Sequence, residues 1–351
     1  MSVYADAVPR SGEESQSGAR QRTAGFRRNR FRGTLTFSAL DLGTNNCRLL
    51  IAKPQGDSFR VIDAFSRVVR LGEGVVETGR LSKGAISRTI EALKVCANKI
   101  SRRRVALSRH VATQACRVAE NCSEFVERVH DETGLALDII SPAEEARLAV
   151  LGCQTLLRRR AADAIVFDIG GGSTEVIHVR QHEGGEVTIG AWVSLPYGVV
   201  NLSEEFGTGA IGCSVYDNMV ALVTKELQAF KARCPDDLGQ DEEHFKLHGT
   251  TGTVTTLASV QLGHERYDRN VVDGSWHECG KTRDISRQLA ELSIEERASW
   301  PCIGQERADL VVAGCAILDA ILAHWPVDRL RVADRGIREG ILRTLMQQPL
   351  R

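Results

Sequence analysis

Asp168-Ile-Gly-Gly-Gly-Ser-Thr174 leaves a hydrophobic stretch, Ala164 to Asp168, and sets three consecutive glycines behind an aspartate. With no side chains in the way, phosphate oxygens can approach main-chain N–H groups, which in such a turn converge as an anion-binding nest. The Ser173 and Thr174 hydroxyls add donors. A plain glycine hairpin would account for one or two glycines, but not for an acidic residue fixed at the strand end before three. Gly170, Gly171, Gly172 and Ser173 are therefore read as phosphate-binding, with Asp168 beside them.

Asp41-Leu-Gly-Thr-Asn-Asn46 has the same grammar: buried strand, terminal aspartate, glycine, then polar turn residues. Alone it is weak, because Asn and Gly are ordinary in turns. The surroundings strengthen it. Leu35 to Asp41, Cys47 to Lys53 and Phe59 to Val69 read as a three-stranded meander, followed by a helix over Ser82 to Ile100, a strand over Val105 to Thr113, a helix over Cys122 to Thr133 and a short strand over Leu137 to Ile140. After Asp168 the rhythm recurs, with returning strands over Thr174 to Arg180 and Glu186 to Leu195 and helices behind them. This is α/β architecture with a duplicated unit. Two aspartates at equivalent strand ends would face one another across a cleft, an arrangement suited to a hard cation such as Mg²⁺ held largely through its waters. Gly43, Thr44, Asn45 and Asn46 would bond phosphate on one side of that cleft. Glu175 either orients the cation's waters or is a solvent-facing strand residue.

A third glycine turn, Gly249-Thr250-Thr251-Gly252-Thr253, separates a strand over Phe245 to Gly249 from a helix. The amides at that helix start offer another anion site, or the turn simply caps the helix. Ser141-Pro-Ala-Glu144-Glu145 opens a further helix, with Ser141 as N-cap, Pro142 at the first position and Glu144 placed for a capping box. Glu145 is left over, and its i+3 and i+4 neighbours, Leu148 and Ala149, turn it toward the apolar side. A desolvated carboxylate there would have a raised pKa and serve as a general base. A second acidic residue favouring the helix dipole is the other reading, and spacing alone leaves both open. Arg70 and Arg117 are candidate cationic partners for a phosphoryl group.

Bulk properties bound these readings. At 351 residues the chain exceeds what one core usually organises, so two domains with a cleft are expected. With 45 basic and 45 acidic residues, no global field draws in nucleic acid or a membrane surface. No apolar run reaches the length of a membrane-spanning helix. The ten cysteines show no zinc-type spacing and read as buried thiols of a cytoplasmic protein. Residues 1–33 read as a disordered Arg-rich tail, 34–150 as a first domain to which 337–351 returns, and 151–336 as a second. The apolar stretch from Ala308 to His324 suggests a homodimer contact.

Taken together, Asp41-Leu-Gly-Thr-Asn-Asn, Val69-Arg-Leu-Gly-Glu-Gly, Ala112-Thr-Gln-Ala-Cys-Arg117, Ser141-Pro-Ala-Glu-Glu-Ala-Arg147, Asp168-Ile-Gly-Gly-Gly-Ser-Thr-Glu175, Leu195-Pro-Tyr-Gly-Val-Val, Gly249-Thr-Thr-Gly-Thr, Arg307-Ala-Asp and Asp334-Arg-Gly-Ile-Arg-Glu-Gly340 resemble the exopolyphosphatase/guanosine pentaphosphatase (Ppx/GppA) family, in its short form without a C-terminal HD-type domain. The resemblance spans roughly residues 34–347. It implies two ribonuclease-H-like domains of the actin-like ATPase superfamily and Mg²⁺-dependent release of a terminal phosphate from polyphosphate or guanosine pentaphosphate (pppGpp). It further implies that Glu145 activates water, that Asp41 and Asp168 hold Mg²⁺ with Glu175 in support, and that Thr113 and Arg117 contact the phosphate. Two rivals keep the fold and change the function: a sugar or acetate kinase, and a non-catalytic alarmone or nucleotide sensor.

Overall fold

The computed structural model describes residues 35–157, 162–182, 185–239 and 245–348, so the 1–33 segment lies outside the described residues. The first sheet holds β1 (Phe37–Leu42), β2 (Asn46–Gln55), β3 (Ser58–Val68), β4 (Leu107–Ala112) and β5 (Asp138–Ile139), in the order β3-β2-β1-β4-β5. The second holds β6 (Ala162–Ile169), β7 (Thr174–Gln181), β8 (Val187–Leu195), β9 (Phe245–Thr250), β10 (Trp276–Glu278) and β11 (Arg329–Ala333), in the order β10-β11-β9-β6-β7-β8. Central β1 is almost wholly buried and reads as a near-continuous apolar run. Edge strand β3 carries charge along its exposed positions.

The duplication holds down to single hydrogen bonds. β1 is antiparallel to β2 and parallel to β4, as β6 is to β7 and β9. Leu42 pairs with Cys47 and Asp41 with Arg48; Ile169 pairs with Thr174 and Asp168 with Glu175. Each four-residue turn is closed alike, with the Gly43 N–H donating to Asn46 C=O and the Gly170 N–H to Ser173 C=O, both at 2.9 Å.

Two helices join the units. The Pro142–Leu157 helix buries Leu148 beside the first sheet's Phe37 and Val111, and Ala149, Val150 and Cys153 beside Val166 and Ile177 of the second. The Ile337–Gln347 helix returns to the first sheet through Ile337, Ile341 and Leu345. Where the two helices cross, a side chain at Gly152 would strike the Gly336 carbonyl and one at Gly340 the Leu148 carbonyl, so glycine sets the close approach. The capping box expected at Ser141 is half present. Ser141 Oγ accepts from the Glu144 N–H at 3.2 Å, but the Glu144 carboxylate bonds Arg109 and Arg147 at 2.7 Å each.

The apolar helix expected to support self-association is core instead. Of the 14 residues in Val311–His324, only Ala323 falls outside the buried set, leaving no face for a partner. All ten cysteines are free thiols, eight of them buried. Among the described residues, no helix is long and apolar enough to cross a membrane.

Candidate active site

Both aspartate-led turns open into one cavity of about 130 Å³. Its wall includes Asp41, Gly43 to Asn46, Arg48, Thr113, Gln114, Glu145, Asp168 to Ser173, Gly252, Thr253, Thr256 and Arg307. The turns touch: a Cβ on Gly171 would lie 2.9 Å from Thr44 Cβ and 3.0 Å from Asn45 N, and one on Gly172 would lie 2.6 Å from Thr44 Oγ1. Glycine at 171 and 172 is therefore a packing requirement. Thr44 Oγ1 and Asn45 Oδ1 are buried there without a protein partner. Buried polar atoms of that kind call for a ligand or water.

Burial and like charge dominate the electrostatics. Asp168 is pushed up to about 7 by burial, then by Glu175 and Asp41, with Arg48 acting in the opposite direction. Burial also raises Asp41, against Arg48 and Arg338. Glu145 is held well above the ordinary carboxylate range by burial and by Glu175, while Arg117 draws it back down. Arg117 Nη1 donates to Glu145 Oε2 at 2.7 Å and to the Ile140 carbonyl at 3.0 Å, and its other nitrogens reach Gln114 Oε1 at 2.9 and 3.1 Å. Burial of the Arg48 guanidinium, and the nearby Arg338, lower its pKa.

The remaining sequence expectations divide. Asn46, Thr113, Gly252 and Thr253 line the cavity. Gly249 does not: it is core, packed on Phe167 and Val254. Thr250 is fully buried beside Asp168, while the Thr251 side chain is outside the description. The Thr174 hydroxyl turns away to the Tyr197 carbonyl at 2.7 Å. Glu175 accepts from Ser173 at 2.9 Å and Ser194 at 2.7 Å, so its carboxylate braces the turn from behind. Arg70 is also outside the cavity wall and pairs with Asp309 at 2.7 Å, since its loop runs behind the Asn45 turn. Arg117 stands behind Glu145 and grips it.

Sequence reading missed Arg48, Gln114, Thr256 and Arg307. Arg307 Nη1 donates to Thr256 Oγ1 at 2.7 Å. Arg48 was within reach, because a hairpin closed by a four-residue turn puts it opposite Asp41. Gln114 and Arg307 stand inside segments that carry the family resemblance, and Thr256 lies just past the third glycine turn, but no role was read for any of the three because what brings them to the cavity is tertiary packing.

A cavity lined by glycine turns of two duplicated hairpins, with a buried glutamate between them, agrees with what comparison returns. The Ppx/GppA phosphatase family profile matches residues 50–348. The chain belongs to the Ppx/GppA phosphatase family. It is thus a phosphohydrolase, built on two mixed sheets of the actin-like ATPase fold. Exopolyphosphatase 2 of Mycobacterium tuberculosis is 29% identical over 322 residues, covering 88% of this chain and 98% of that protein. The crystal structure of the Aquifex aeolicus Ppx/GppA family member superposes with a TM-score of 0.73 at 32% identity, over 89% of this chain and 97% of that one. A crystal structure of an exopolyphosphatase-like protein gives a TM-score of 0.80 at 27% identity, over 89% and 97% of the two chains.

Proposed function

We propose that this Ppx/GppA phosphatase removes the terminal phosphate of inorganic polyphosphate, and of pppGpp, which presents the same kind of terminal anhydride, with Glu145 activating the water. The observation that carries the reading is the shared cavity: Asp41, Asp168, both glycine turns and Glu145 line it together. The polyphosphate assignment also draws on the M. tuberculosis relative's name.

In this reading, the turn amides beyond the two closing glycines and the Arg48 and Arg307 guanidiniums bind the terminal phosphate's oxygens, where transition-state charge is spread. Arg117 holds Glu145 Oε2, so Oε1 is the oxygen that takes the proton from water. The water oxygen forms a bond to phosphorus as the bridging P–O bond breaks in line, and the electron pair leaves on the departing chain's oxygen. Burial and neighbouring carboxylates make Glu145 basic enough to accept that proton, and the Arg117 guanidinium favours its carboxylate form against them.

The residues fit Mg²⁺. With Glu145 paired to Arg117, two aspartates face two guanidiniums in the cavity, too little positive charge for a polyphosphate tail. Among the described residues no group of three His, Cys, Asp or Glu is placed to hold a metal. Two hard carboxylates with waters and substrate oxygens is how Mg²⁺ is commonly bound, and Asp41 and Asp168 would be those carboxylates. When bound, Mg²⁺ would supply charge neutralisation of the phosphate oxygens.

The test is phosphate release from inorganic polyphosphate and from pppGpp, each with Mg²⁺ and with excess chelator. Mg²⁺-dependent release from at least one substrate is expected. No release from either, or ATP-dependent phosphorylation of a small acceptor instead, would sink the reading.

A further inference from the structure

Beside the main cavity, and sharing Asn45 and Leu310 with it, lies a smaller chamber of about 130 Å³ lined by Arg70, Glu73, Ser203, Glu204 and Asp309. Its walls come from different units: Arg70 and Glu73 follow β3, whereas Ser203 and Glu204 lie on the Val199–Phe206 helix and Asp309 just before Val311–His324. Two bonds cross it. Arg70 Nη1 lies 2.7 Å from Asp309 Oδ2, and the Gly74 N–H donates to Glu204 Oε1 at 2.8 Å.

Arg70 also reaches the phosphate-binding side through its backbone. The Val69 and Arg70 N–H groups donate to the Asn45 carbonyl at 2.8 and 3.0 Å, and the Gly72 N–H donates to the Thr44 carbonyl at 2.9 Å. Arg70 holds this position at φ 50°, in the left-handed region unfavourable to a side-chain-bearing residue. Such strain persists where the surroundings over-determine it and concentrates at clamps and switches. At the other end of the pair, Asp309 is two residues from Arg307, which lines the main cavity. Asp309 Oδ1 is buried without a protein partner, so the carboxylate depends on Arg70 for its neutralisation.

We infer that Arg70 is a positioning residue, the pin of a clamp that closes the two units on the bound phosphate chain. It acts through Asp309 on the Arg307 wall and through its backbone on the Asn45 turn, and does not touch the substrate. Release of the pair lets the units part for substrate entry or product exit. The kinetic side of this inference rests on the proposed phosphohydrolase reading; the geometric side does not.

The experiment compares Arg70→Ala, Asp309→Asn, the two combined, and the exchanged pair Arg70→Asp with Asp309→Arg, by phosphate-release kinetics and by small-angle X-ray scattering. Each single variant is expected to raise KM about three- to fivefold with kcat within about twofold, as for a partly exposed ion pair. The combined variant should be no worse than either single one, and the exchanged pair should recover most of the loss. The free Arg70→Ala and Asp309→Asn proteins should show a larger radius of gyration than the parent. Additive losses, a fall in kcat at unchanged KM, or an unchanged radius of gyration would each overturn the clamp. If Arg70→Ala does not fold, Asp309→Asn and the exchanged pair decide it. A parent enzyme that releases no phosphate removes the functional reading alone, because scattering still tests the clamp.

Discussion

Arg117 and Glu145 form an ion pair of 2.7 Å with side-chain exposures of 13% and 8%, on segments 28 residues apart. The pair sets the state of the proposed base. Burial and Glu175 favour the protonated carboxyl, and Arg117 favours the carboxylate. Replacing Arg117 with Met therefore raises the Glu145 pKa further, so the base is ionised only at higher pH. The acidic limb of the kcat profile should move up in pH, with activity at neutral pH falling about tenfold or more and recovering as pH rises. An unmoved limb would show that Arg117 acts elsewhere.

Glu145→Gln removes the proton acceptor and keeps the shape. Loss of a general base typically costs about 10²- to 10⁴-fold in rate, and kcat should fall to that degree. The melting temperature should not drop steeply, because the substitution also deletes a buried carboxyl crowded by Glu175 and Asp168. Near-normal turnover would remove the assignment.

Cation binding should depend on pH through Asp168. Its folded pKa of about 7 lies above the ordinary aspartate value of 3.8, so the native state holds more protons than the unfolded chain across that interval. Without a cation, this group's contribution to stability is fully present below pH ~4 and lost as pH rises through about 7. A bound cation favours the carboxylate, so its affinity should weaken about tenfold per pH unit below that pKa. Thermal melting with and without Mg²⁺ should show a larger stabilisation at pH 8 than at pH 5.5. Equal shifts would contradict the Asp168 ligand assignment.

Gly171→Ala should push the Thr44 turn away, since its Cβ would sit 2.9 Å from Thr44 Cβ. Both melting temperature and KM should suffer. Gly280→Ala is the control: nothing lies within 4 Å of its Cβ, and it stands in the Cys279–Glu291 helix. That substitution should stabilise by about 0.4–1 kcal/mol and leave kinetics unchanged. If the two behave alike, turn contact is not what glycine provides at 171.

Glu144 tests the neighbouring position. Arg147 and Arg109 hold its carboxyl down at about 2. A depressed carboxylate contributes stability above its unfolded pKa of about 4.5 that is lost as pH falls toward 2. Glu144→Gln should cost at most about 1 kcal/mol at neutral pH, given the partial exposure, and nothing near pH 2. Activity should be spared, and a large kinetic loss would mean the two glutamates have been assigned in the wrong order.

The turns, the meanders and their repetition were legible in the sequence because they are local. Strand alternation, a terminal aspartate and glycines at fixed offsets are all encoded within about fifteen residues. The roles of Glu175, Arg70 and Val311–His324 were not. A strand glutamate reads the same whether it faces water or two serines, and an apolar helix reads the same whether it lines a core or an interface.

The sequence by itself determined the two hairpins, their acidic leads and the helix that presents Glu145, since backbone stereochemistry and short-range patterning fix those. Only the tertiary structure decided that Arg117 grips Glu145, that Arg48 and Arg307 enter the cavity and that Arg70 spans the units. Those contacts depend on where chains far apart in sequence come to rest, and side-chain charge finds its partner only after packing has brought the surfaces together.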